Sequence, residues 1–92
     1  MARVARKFIV KGKVQGVGYR FFTYQAAIRH GIVGYVKNLK NGDVEVVAEG
    51  DESEVLSFKK QLFVGPPFAV VREIEETVLE ATNQFDSFKI ER

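Results

Sequence analysis

The densest run of residues able to do chemistry is Gln15-Gly16-Val17-Gly18-Tyr19-Arg20. Two glycines placed two apart let the backbone adopt positive φ and turn successive N–H groups toward one point, which makes a nest for an anion. Arg20 adds a permanently charged planar fork suited to bidentate phosphate contact. A helix beginning near Arg20 would add its own unpaired N–H groups and the positive end of its dipole. Together these features fit a phosphoryl-sized anion. The run is not a dinucleotide fingerprint, because position 21 is Phe21 where a third Gly or Ala is needed, and no Walker-type loop is present. A tight strand-to-helix turn with Arg20 as a solvated helix residue would use the same residues, and the loop alone does not choose between the two readings.

A second candidate is Asn38. An asparagine close to a hairpin commonly forms the turn itself. Here Asn41-Gly42 already supplies a hairpin signal, with both residues expected at the centre of a type I′ turn. That leaves Asn38 on a strand, where asparagine is disfavoured, and such misfits are where function can override propensity. The remaining inventory is spare. There is no Cys and one histidine, His30, placed near the far end of the first helix, where a cation complements the helix C-terminus. No His/Asp/Glu cluster has the look of a metal site. The sequence thus offers no thiolate, disulfide or sulfur-ligated metal chemistry.

Composition narrows the class. Of 92 residues, 46% are apolar and 28% charged, an ordinary globular balance. The expectation is one domain over residues 1–92, with eight Phe carrying much of the core. The short basic N-terminus lacks the apolar stretch of a signal peptide, and no apolar run approaches a membrane span, so a soluble cytoplasmic protein is expected. Net charge is +2, but residues 1–42 hold nine Lys or Arg and no acid, whereas residues 43–92 hold five basic and twelve acidic residues. This asymmetry reads as an anion-attracting surface in one half, unless the halves interleave in space.

The elements that must position these residues follow from periodicity. Residues 6–14 read as a strand, with Phe8, Val10 and Gly12 alternating against Ile9, Lys11 and Lys13. Gly12 marks a bulge or a close backbone approach, and Lys11 and Lys13 either solvate the strand or steer anions. From Arg20 to His30, Phe21, Tyr24 and Ile28 recur at helical spacing, and Phe21, Phe22 and Tyr24 are assigned to the core. Strands follow at 33–40 and 43–49. Asp51 then caps a second helix, with Glu54 in the capping-box position and Val55, Phe58 and Leu62 on its inner face. Gly65-Pro66-Pro67 ends that helix. Residues 68–79 are a long β-prone stretch, and 85–90 a short final strand with Phe88 and Ile90 on one face. The order β-α-β-β-α-β predicts an α+β ferredoxin-like sandwich: two helices on one face of a four- to five-stranded, mainly antiparallel sheet.

Several of these segments also resemble one known family. Val10 to Arg20 is similar, position by position, to the first signature of the acylphosphatases. Gly34-Tyr35-Val36-Lys37-Asn38, followed by Gly42-Asp43-Val44-Glu45 and Gly50, resembles the second. Gly65-Pro66-Pro67 with Ala69 and Val71, and the terminal Phe88-Lys89-Ile90, resemble the closing segments. The resemblance implies hydrolysis of acyl phosphates to a carboxylate and inorganic phosphate. It implies that the backbone of Gln15, Gly16, Val17, Gly18, Tyr19 and Arg20, with the Arg20 side chain, binds the phosphoryl group, and that Asn38 holds the attacking water. It implies no metal, cofactor or covalent intermediate. The expected partners are then a small acyl phosphate and its phosphate product, with no nucleic acid or membrane, for a monomer. Two alternatives share parts of the pattern. RNA-recognition domains have the same element order, but Asp43 to Glu49 carries no stacking aromatics and its charges are acidic. A phosphate-binding domain without catalysis could retain both Arg20 and Asn38.

Overall fold

The computed structural model describes residues 2–92. Its elements are β1 (Arg3–Lys13), α1 (Tyr19–Arg29), β2 (Val33–Asn38), β3 (Val44–Asp51), α2 (Glu52–Val64), β4 (Val70–Leu79) and β5 (Phe88–Glu91). The five strands form one sheet in the order β4-β1-β3-β2-β5. All neighbours are antiparallel except β2 and β5, which are parallel. This is the expected sandwich, with the short last strand added to the edge.

The period-two alternation of β1 explains its place between two neighbours. Phe8 and Val10 are completely buried on the helix-bearing face, where they meet Val36, Val44, Val46 and Ala48 from β2 and β3 and Val55, Phe58 and Leu62 from α2. Phe58 meets Phe88 of β5 edge-on, with ring centroids 6.1 Å apart, an arrangement the ring quadrupoles favour. Gly12 does permit a close approach: its register shifts at Lys11/Gly12, and a Cβ there would lie 2.1 Å from the Val70 carbonyl oxygen.

Several local expectations are corrected. Helix α1 buries only part of its aromatic stripe, with Tyr24 half-buried against the core. Its buried residues are Tyr19, Thr23, Ala26 and Ala27, while Phe21 and Ile28 are 57% and 58% exposed. Ala26 and Ala27 let the helix lie close to the sheet, and close packing rotates the larger Phe21 and Ile28 outward. Strands β2 and β3 pair only as far as Asn38 and Val44. The intervening turn is closed by Leu39 N–H donating to Asp43 C=O and Gly42 N–H to Leu39 C=O. Gly42 has φ 98°, whereas Asn41 is not left-handed, so the loop has the character of a three-residue hairpin with glycine in the last place. Asn41 instead ties the turn through its side chain, accepting from the Asp43 N–H. Asp51 does stand at the N-cap of α2, but its carboxylate accepts from the Ser53 hydroxyl and caps no backbone N–H. Glu54 is drawn to His30 Nδ1, 2.8 Å away.

The two halves of the chain interleave, which neutralises part of the charge asymmetry. Arg3 pairs with Glu49, Arg6 with Glu76 and Lys37 with Glu45 across strands, and Lys11 with Asp43 of the β2–β3 turn.

Candidate functional site

Topology brings the two sequence candidates to one end of the sheet. Strands β1 and β2 run in the same direction with β3 between them, and Val44 is opposite both Val10 and Asn38. The ends of β1 and β2, with the loop that leaves the one and the asparagine that ends the other, therefore lie at the same end of the sheet, on either side of the start of β3. Strand β5, parallel to β2, delivers its own C-terminal end to the same place.

Gly16 and Gly18 have φ values of 74° and 79°. A Cβ added at either would meet nothing within 4 Å. Glycine is thus required by the backbone conformation and not by crowding, as a nest of N–H groups demands. Gly18 is also the N-cap of α1. It makes no side-chain cap, and the first turn contains no acidic residue, so the opening N–H groups of the helix are left for another acceptor. The loop is held from behind. Tyr19 is 1% exposed and its hydroxyl donates to the Leu62 carbonyl of α2 at 2.8 Å, burial pushing that hydroxyl's pKa well above its ordinary value. Val17 packs against the core. Gln15 turns its amide away from the loop, donating from Nε2 to the carbonyls of Leu39 and Asp43, each at 2.8 Å.

The loop faces a hollow of about 250 Å³ lined by Val14, Gly16, Gly18, Tyr19, Arg20, Phe21, Asn38 and Ile90. Arg20, Asn38 and Ile90 also border a wider opening that Arg92 completes. The Arg20 guanidinium is oriented by β5, with Nη1 donating to the Glu91 carbonyl at 3.0 Å. Among the described residues it has no carboxylate in ion-pair range, in contrast with Arg3, Arg6, Lys11 and Lys37. Lys11 is engaged by Asp43 at 3.2 Å and Glu75 at 3.9 Å, and the Asp43 hydrogen bond with the nearby acidic charges raises its pKa. It is therefore not a free cation for steering anions.

Asn38 supplies the most telling atom. Its Oδ1 is buried and has no hydrogen-bond partner among the described residues, although buried acceptors are nearly always satisfied. Of the predicted loop residues, Gly16, Gly18, Tyr19 and Arg20 line the hollow beside it, while the Gln15 and Val17 side chains point elsewhere. Sequence reasoning missed Val14, Phe21 and Ile90 at the rim. Phe21 shares the helical spacing of a buried stripe, so periodicity assigns it to the core. Among the described residues no group of three or more His, Cys, Asp or Glu is placed to hold a metal ion.

The acylphosphatase family model matches residues 6–90. The chain belongs to the acylphosphatase family. It is 48% identical over 85 residues to an acylphosphatase of Actinobacillus pleuropneumoniae serotype 5b (strain L20), covering 92% of this chain and 94% of the relative. It is 52% identical over 83 residues to one from Dehalococcoides mccartyi (strain CBDB1), covering 89% and 91%. The fold superposes on the crystal structure of acylphosphatase from Bacillus subtilis with a TM-score of 0.94 at 36% identity, over 97% of this chain and 99% of that one. As an acylphosphatase, the chain is a hydrolase of the carboxyl–phosphate bond, and the hollow is where the family resemblance and the local geometry coincide.

Proposed function

We propose that this chain hydrolyses acyl phosphates in the hollow between the Gln15–Arg20 loop and Asn38, by direct attack of water on phosphorus. The observation that carries this reading is that Asn38, whose buried Oδ1 has no partner among the described residues, lines the same hollow as the left-handed glycines and Arg20. A phosphoryl group seated on the loop would take hydrogen bonds from the backbone N–H groups and the guanidinium. A water between that phosphorus and Asn38 would give one hydrogen to Oδ1 and aim a lone pair at phosphorus.

The chemistry needs little more. The water oxygen bonds to phosphorus as the bond from phosphorus to the bridging oxygen breaks, and the acyl group leaves as a carboxylate. Its parent acid has a pKa of roughly 4, as side-chain carboxyls do, so the leaving group needs no strong general acid. The transition state is loose and spreads charge over the equatorial oxygens, where Arg20 and the nest stabilise it. A neutral amide is a poor base, so Asn38 acts by orientation, and the water's second proton passes to a phosphoryl oxygen. No metal or cofactor takes part, and the substrate is small enough for one copy of the chain to act alone.

The test is phosphate release from acetyl or benzoyl phosphate in the presence of a chelator. Wild type should turn over at an undiminished rate; inactivity, or activity restored only by an added metal, would overturn the reading.

A further inference from the structure

The Gln15 side chain is half-buried at the start of the loop, yet it touches no part of the hollow. Both of its amide hydrogens are used on the neighbouring turn, donated from Nε2 to Leu39 C=O and Asp43 C=O at 2.8 Å each. These two carbonyls already accept the turn's own bonds, from Gly42 N–H at 3.2 Å and Leu39 N–H at 2.8 Å respectively. Gln15 therefore supplies a second donor to each carbonyl, and Leu39 is the residue that follows Asn38. A carboxylate in this place would offer acceptors to acceptors, and a methyl or thioether would offer nothing. A primary amide puts two hydrogens on one nitrogen, the count that two carbonyls require.

Strands β1 and β2 are not hydrogen-bonded to each other, since β3 lies between them. The spacing between the phosphate loop and Asn38 is fixed through the register of β3, and the Gln15 amide is the direct strap across it. We propose that Gln15 is a positioning residue: its paired hydrogen bonds hold the β2–β3 turn, and so the Asn38 amide, at the reacting distance from the phosphate cradle. This rests on the reading of Asn38 as the holder of the attacking water, and it assigns Gln15 a side-chain role separate from any backbone contact with phosphate.

The experiment is a double-mutant cycle read by kcat for acetyl phosphate, by affinity for inorganic phosphate and by thermal melting. Gln15→Met keeps the length and removes both donors; Gln15→Leu also removes both donors without adding a charge and serves as the second variant if the first melts near the assay temperature. In the Asn38 background each should lower kcat by roughly 10- to 100-fold, the scale of a misplacement near 1 Å. Phosphate affinity should change by less than about 3-fold, because the nest and Arg20 are intact, whereas a mere loosening of the loop would weaken both. In the Asn38→Ala background the same substitutions should change kcat by less than about 2-fold, since a residue acting through Asn38 has nothing left to position. An equal loss in both backgrounds, unchanged kcat in the first, or a loss of phosphate affinity matching the loss of kcat would overturn the inference. If Asn38→Ala itself leaves kcat unaltered in an active enzyme, the reading of Asn38 has failed, and that outcome is distinguishable from the others.

Discussion

At the scale of single residues, the proposed site divides binding and turnover between Arg20 and Asn38. Arg20 is the one charged residue among those lining the hollow, and an exchange for glutamine keeps a polar group while removing the cation. Arg20→Gln should lower kcat/KM by about 10²- to 10³-fold, the usual cost of one preorganised donor to a developing charge, and should weaken competitive inhibition by phosphate as well. Asn38→Ala should lower kcat by on the order of 10²-fold while leaving phosphate inhibition nearly intact. Steady-state kinetics with phosphate as inhibitor separates the two patterns. Gly18→Ala belongs here too. Its φ of 79° costs an alanine about 1–2 kcal/mol, and because a Cβ there meets nothing, the loss arises from backbone conformation alone. If the loop relaxes to relieve it, phosphate affinity falls; unaltered affinity would show that the N–H groups are not the cradle.

Among the elements, α1 decides the geometry because it both opens at the loop and packs on the sheet. Ala27 is fully buried, so Ala27→Leu forces the helix away from the sheet. Overpacking of this kind costs about 1–3 kcal/mol, which for a domain of this size lowers Tm by roughly 4–8 °C per kcal/mol. A thermal melt checks it. The same helix shows what periodicity could and could not disclose. The 3.6-residue pattern located α1 correctly, but it could not tell which side faced the sheet, since Phe21 and Ile28 make as regular a stripe as Thr23, Ala26 and Ala27. Helix α2 had no such ambiguity, and Val55, Phe58 and Leu62 are buried as expected. The Asn41-Gly42 signal placed the hairpin but misassigned its centre, because side-chain bonds from Asn41 and Gln15 select a loop one residue longer. Gln15 and Asn38 are far apart in sequence, and nothing local in either announces a strap between them.

At the scale of the whole molecule, charges that the linear sequence seemed to segregate meet across the sheet. Glu49 lies on the sheet face away from the helices and is 1% exposed. It accepts from Arg3 Nε at 2.8 Å and from the backbone N–H groups of Thr82 and Asn83 at 3.3 and 2.9 Å. Burial alone would raise its pKa, but Arg3 and the two backbone donors outweigh burial and hold it below the ordinary carboxylate range. A carboxyl with a depressed folded pKa contributes its stability above the unfolded value, near 4.3, and loses it as pH falls through the folded value. Glu49→Gln should therefore cost about 1–3 kcal/mol at neutral pH, with the gap to wild type closing in melts carried below about pH 4. A gap that stays constant down to low pH would place the cost in packing instead. Four of the basic residues of the N-terminal half are likewise spent on carboxylate partners, and of the five that are not, Arg20 is the one that lines the hollow. That selection depends on strand register, which charge counting along the chain cannot see. The types of Gly16, Gly18, Arg20 and Asn38 were legible because each does something few other residues do.

The central claim, that water attacks phosphorus and not the carbonyl carbon, is tested most directly by hydrolysing benzoyl phosphate in oxygen-18-labelled water and locating the label by mass spectrometry. The account predicts enzyme-dependent release with the heavy oxygen in inorganic phosphate and none in benzoate. Label appearing in benzoate would mean attack at the carbonyl carbon, and would contradict it.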